Sequence, residues 1–107
     1  GGHADVVLRR VAAMGDGWLP NYQQAADAAE ALAKLDGYLA ENGRSMADIG
    51  IEPRLHYRDG DLARLEKTVS GWRNIDTSHL TLNTMGAGFT TPEQHLAALR
   101  RFANALL

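Results

Sequence analysis

Helical and strand periodicities alternate strictly along this chain, which predicts an α/β fold with parallel strands. Three observations carry the reading. Apolar residues recur at helical spacing in four segments, two-residue alternation or a short apolar stretch fills three places between them, and Gly, Pro, Asn or Asp marks nearly every change. The order is helix, short strand, helix, strand, helix, strand, helix. Strands separated by helices are joined by right-handed crossovers and lie parallel, with the helices layered on the sheet. At 107 residues the chain is one domain or less, so residues 1–107 are treated as a single partial domain.

Val7, Val11 and Met14 open the pattern, with Leu8 and Ala12 beside them, and Gly15 stops this helix as a residue free to take positive φ. Gly17, Trp18 and Leu19 form a brief strand closed by Pro20. Asn21 is the expected N-cap of the second helix, with Gln24 completing a capping box. Ala25, Ala28, Leu32, Leu35 and Leu39 mark its apolar face, and Asn42-Gly43 ends it. Ser45 and Asp48 predict one capped turn.

Residues 51–57 then change period. Ile51, Pro53, Leu55 and Tyr57 alternate with Glu52, Arg54 and His56, and Pro53 is awkward in a strand because it has no N–H to donate. The polar set faces either a barrel interior or open solvent. Asp59-Gly60-Asp61 is a turn and cap before a helix carrying Leu62, Leu65, Val69 and Trp72. Leu80 and Leu82 alternate with His79, Thr81 and Asn83 in a third strand. Thr91, Pro92 and Gln94 start the last helix, for which Leu96, Leu99, Phe102 and Leu106 are the expected buried face.

Composition narrows the function classes. A net charge of −2 gives no electrostatic footprint for nucleic acid. No apolar run reaches the length of a membrane span, and the chain does not open on a secretory signal pattern. With no cysteine there is no disulfide, thiolate or zinc-thiolate chemistry, which fits a cytoplasmic location. His3, His56, His79 and His95 form no i, i+4 pair, so no metal site is expected.

The candidate binding residues stand at the start. Gly1, Gly2, His3 and Ala4 precede the first helix, where free backbone N–H groups and the positive end of a helix dipole favour an anion such as phosphate. The same glycines also read as a turn needing positive φ, or as residues left by cloning. A second cradle at residues 83–88, NTMGAG, competes with a plain loop of small residues. Trp18 is placed either as a wall beside a flat ring system or in the core. No residue stands out as a catalytic nucleophile.

GG, LRRVAAMGDGWLP, NTMGAG and TPEQHLAALRRF together resemble the second half of the luciferase-like monooxygenase family, most closely its deazaflavin-dependent oxidoreductase branch. The resemblance implies the C-terminal portion of a (βα)8 barrel, and an incomplete one, since such a barrel takes roughly 250 residues. It implies FMN or deazaflavin as cofactor and a small-molecule substrate. Gly1, Gly2, His3 and Ala4 would contribute to the cofactor phosphate site and Trp18 to the cofactor wall. An incomplete barrel is expected to be inactive alone and to form homo-oligomers that cover its open strand edges. The alternative is a naturally short, non-catalytic half-barrel that binds or assembles.

Overall fold

Four helices and short parallel strands follow one another in a computed structural model, which describes residues 2–58, 60–75 and 77–107. They are α1 (Asp5–Met14), β1 (Gly17–Trp18), α2 (Ala29–Glu41), β2 (Gly50–Ile51), β3 (Arg54–His56), α3 (Leu62–Arg73), β4 (Thr81–Asn83) and α4 (Pro92–Leu106). β1 pairs with β2 and β3 with β4, both parallel. The molecule measures 46 × 24 × 20 Å, an elongated slab.

The strand expected over residues 51–57 is broken at Pro53. Its first half pairs backward and its second half forward. The even residues bond toward β1: Gly50 N–H donates to Asp16 O and Glu52 N–H to Trp18 O. The odd residues bond toward the third segment, where His79 N–H donates to Ile51 O, Thr81 N–H to Pro53 O, and Tyr57 N–H to Asn83 O. Proline keeps the acceptor but lacks the donor, so the ladder is interrupted on that side. Ser78 bridges just before the break: Ile51 N–H donates to its Oγ at 2.9 Å, and the Oγ sits 3.1 Å from Ile51 O. The result is three parallel strand lines in sequence order, without closure into a barrel among the described residues.

Ile51, Pro53, Leu55 and Tyr57 are all buried on the helix side of this middle line, as the alternation predicts. Ile51 joins Leu8, Ala12, Trp18, Leu35 and Leu39 in one core. Leu55 and Tyr57 join Leu65, Val69, Trp72, Ala98 and Phe102 in a second. Tyr22 and Leu32 pack against both and connect them. On the opposite side Arg54 is exposed, while Glu52, His56, Thr81 and Asn83 are half-buried. There Thr81 Oγ1 donates to Glu52, and the Asn83 amide sits 3.4 Å from His56 Nδ1.

Several local expectations are corrected. Gly15 ends α1 at φ −83°, not in the left-handed region. A side chain is excluded there because a Cβ would lie 2.9 Å from Val11 O. The α1 carbonyls are finished by Arg44, whose guanidinium donates to Ala12 O at 3.0 Å and Gly15 O at 2.7 Å. Met14 is exposed, so the buried line of α1 is Leu8 and Ala12.

Asn21 does not cap α2. A 3₁₀ turn at Ala25–Ala28 comes first, because Gln23 O accepts from Trp72 Nε1 and the Gln24 amide reaches Thr68 Oγ1. These two bonds hold the connection extended up to residue 24. At its other end α2 closes as expected. Gly43 takes φ 67°, and its N–H and that of Arg44 return to Ala40 O and Leu39 O in a Schellman motif. The Ser45–Asp48 and Thr91–Gln94 capping boxes both form, and Asp61 caps α3. Asp59, the first residue of that expected turn, lies outside the described residues.

On α4 the buried face is Ala98 and Phe102, with Leu106 beside it, whereas Leu96 and Leu99 are 51% and 40% exposed. The helix is rotated so that the Phe102 ring meets the second core. Phe102→Ala is therefore expected to cost about 3–5 kcal/mol and Leu96→Ala no more than about 0.5 kcal/mol. Urea unfolding midpoints of the two variants check the rotation.

Candidate functional site

Parallel strands place all their carboxyl ends at one end of the slab, and ligands of open α/β sheets bind at such ends. The connections meeting there are residues 19–24 after β1, 57–58 and 60–61 after β3 and 84–91 after β4. Residues 2–4 join them, because Trp18 Nε1 donates to Gly2 O at 2.7 Å and the His3 ring packs on Tyr22 with centroids 4.8 Å apart.

Of the five residues singled out in the sequence, Gly1 lies outside the described residues. Gly2 has φ 96°, so the turn at this position does require glycine. Ala4 is the N-cap of α1 and has no side-chain acceptor to offer. The acidic residue of the first turn is Asp5, where it complements the helix dipole. Lys34 Nζ lies 3.4 Å from both Asp5 and Glu30. Hydrogen bonding to Glu30, followed by attraction to Asp5, raises the Lys34 ammonium above its ordinary pKa. At the alkaline end the bridge therefore persists through the usual lysine range and fades as pH rises through the elevated value. His3 and Tyr22 line a recess of about 260 Å³ with Asp27, Glu30 and Lys34, a mixed-charge surface.

Trp18 is 1% exposed and packs in the first core, so its ring faces the helices. Its indole N–H still reaches the end of the sheet and fastens residue 2 there. The 83–88 loop turns through Gly86 and Gly88 at φ 76° and 80°. Asn83 Oδ1 accepts from Met85 N–H, and Thr84 Oγ1 is 2.8 Å from His95 Nδ1. The shallow recess beside it is largely apolar, lined by Phe89, Pro92 and Leu96 among others.

Sequence reasoning missed two features at this end. Tyr22 is the aromatic that links His3 to both cores, and its only sequence signal is its place just after Pro20. The other is a polar cavity of about 160 Å³ at the exit of β3, to which Gln23, Gln24, His56, Arg58, Arg64 and Thr68 contribute. Its residues come from three separate segments, so no local spacing reveals it. Among the described residues no three His, Cys, Asp or Glu side chains converge as a metal ion would require, and no helix is long and apolar enough to cross a membrane.

No protein-family model, curated protein or solved structure matches the chain.

Trp18→Phe removes the one donor shown for Gly2 O while keeping an aromatic ring in the core. It is expected to cost about 1 kcal/mol. Hydrogen exchange should quicken at Val7 and Leu8, whose N–H groups both bond Ala4 O, and stay unchanged at Tyr57 in the second core.

Proposed function

We propose that the chain is a section of barrel wall from a luciferase-like, flavin- or deazaflavin-dependent oxidoreductase. On this reading it is a cytoplasmic protein that contributes one side of the cofactor phosphate site and is inactive without the remaining strands. The observation that supports it most is the arrangement of three parallel strand lines in sequence order, with apolar side chains toward the helices and Glu52, His56, Thr81 and Asn83 on the other face. A face so rich in hydrogen-bonding groups suits the upper interior of an enzyme barrel, where polar ligands are met.

The cofactor phosphate fits residues 2–4 in one respect that this chain supplies itself. Ala4 provides no side-chain cap, so an anion can take the place a Ser or Asp would fill at the start of α1. Gly2 permits the turn, and Tyr22 steadies His3 beside it. When bound, the flavin or deazaflavin supplies the redox chemistry, while the protein supplies position and electrostatics. Asp5 works against a doubly charged group, and Lys34 offsets it. Binding by this section alone is expected to be weak, because one connection offers few of the contacts that offset the entropy of association.

Titrating the ¹⁵N-labelled chain with FMN tests the reading. Saturable shifts at Gly2, His3 and Ala4 in the millimolar range support it. No response there up to several millimolar removes residues 2–4 from the cofactor site.

A second reading, a non-catalytic half-barrel that assembles through its open edge, is favoured by α4. Leu96 and Leu99 are uncovered on the helix that follows β4. The Leu80 and Leu82 amides alternate with those of His79 and Thr81, which point to the middle line, and so face the outer edge. Homo-oligomers are expected under both readings. Sedimentation at micromolar concentration should give a dimer or larger species, and Leu96→Glu with Leu99→Glu should return it to monomer. FMN binding by the oligomer would favour the oxidoreductase, and indifference to FMN the assembly module.

A further inference from the structure

Between α4 and the connections that follow β3 and β4 lies a recess of about 250 Å³, lined by Tyr57, Phe89, Gln94, Ala97, Ala98 and Arg101. It sits toward the carboxyl ends of the parallel strands, where ligands of open sheets are met. Apolar groups form most of its wall. Phe89 is held in place by a ring on either hand, its centroid 6.0 Å from that of Tyr57 and 5.1 Å from that of His95, the latter edge-on. Ala97 and Ala98, with one methyl each, leave the surface of α4 low beside that ring.

Three donors meet this wall with no other use. Tyr57 is 5% exposed, yet its hydroxyl makes no hydrogen bond among the described residues. Every fully buried side-chain nitrogen or oxygen among them has a partner, so the Tyr57 oxygen is an atom that reaches the opening. Arg101, one turn beyond Ala97, is exposed, and its guanidinium makes no hydrogen bond or ion pair among the described residues. Both groups converge on Gly60, which takes φ 73°: a Cβ there would stand 3.1 Å from Tyr57 Oη and 3.5 Å from Arg101 Nη1. Glycine thus keeps the space beside hydroxyl and guanidinium open. Gln94 Oε1 accepts from Thr90 and Thr91 N–H at 2.6 and 3.1 Å, which leaves its amide nitrogen, a donor only, for the recess.

We propose that this recess binds a small carboxylic acid bearing an apolar ring, with its carboxylate at Arg101 and Tyr57 and its ring against Phe89. A guanidinium takes both oxygens of a carboxylate at once, and a phenol O–H adds a short charge-assisted bond. A wall this apolar favours a singly charged head over a phosphate, whose heavier hydration would have to be stripped. A neutral ring would displace water from the Tyr57 hydroxyl without replacing its hydrogen bond, which weakens binding. Size agrees, since about 250 Å³ lies just below the roughly 300–1,000 Å³ of pockets that enclose drug-sized ligands. One ring and its carboxylate fit. The site is separate from residues 2–4 and does not depend on the oxidoreductase reading. Within that reading the acid would be a substrate, not the cofactor.

The test is NMR titration of the ¹⁵N-labelled chain with benzoate, benzamide, acetate and phenyl phosphate at constant ionic strength. Benzoate should give saturable shifts at the Gln94 side-chain amide, the Gly60 and Phe89 amides and the Arg101 Nε–H. It should bind about tenfold tighter than benzamide, which keeps the ring without the charge, and than acetate, which keeps the charge without the ring. Phenyl phosphate should bind no tighter than benzoate. Arg101→Gln, an exposed position, should bring benzoate down to the level of benzamide, whereas Arg100→Gln on the same helix should leave it unaltered. Tyr57→Phe keeps the ring in the core and should weaken benzoate about threefold. Benzamide, acetate or phenyl phosphate matching or exceeding benzoate in the first two cases, or exceeding it in the third, would overturn the proposal. So would equal effects of the two arginine substitutions, a Tyr57→Phe variant that binds benzoate unchanged, or shifts without saturation.

Discussion

Everything in this fold hangs on the residues between Gly50 and Tyr57. They pair with β1 through their even members and with the 78–83 segment through their odd ones, while the odd side chains enter both cores. A slip of one residue would turn Ile51, Leu55 and Tyr57 to the open face and carry Glu52 and His56 under the helices. Register is thus set by burial, and pairing on both sides by register. Ser78 secures the point where the two pairings change over, bonding Ile51 at both its N–H and its C=O just ahead of the proline that interrupts the ladder.

Around that line the helices are joined by contacts between distant parts of the sequence. Arg44, leaving α2, completes the end of α1; Trp72, in α3, holds Gln23; Trp18 holds Gly2. Each satisfies a backbone carbonyl that its own element leaves over, as buried or half-buried polar groups require. The Trp18 contact also draws residue 2 to the connections at the carboxyl ends of the strands.

The sequence made the periodic parts of this architecture legible and hid the parts set by long-range contacts. Alternation at residues 51–57 and 79–83, the two capping boxes and the Asn42-Gly43 stop are local signals, and each corresponds to a formed element. The start of α2 was misplaced because Asn21 and Gln24 satisfy a local capping pattern, while Thr68 and Trp72, more than forty residues away, claim the Gln24 side chain and the Gln23 carbonyl. On α4 the spacing of Leu96, Leu99 and Leu106 allows two neighbouring faces, and only the fit of Phe102 against the second core chooses between them. Gly15 looked like a residue needed for its φ, whereas it is needed for the space beside Val11. The β3-exit cavity lay beyond local reading altogether, since Gln24, Arg58 and Arg64 come to line one recess only after the crossovers bring them together.

The most direct test of this arrangement is a through-hydrogen-bond NMR coupling experiment on the labelled chain. Couplings from Glu52 N–H to the Trp18 carbonyl and from Tyr57 N–H to the Asn83 carbonyl would establish that one strand line pairs parallel on both sides. Couplings that instead link the 79–83 segment to 51–57 in antiparallel order, or Glu52 N–H to a partner outside β1, would contradict it.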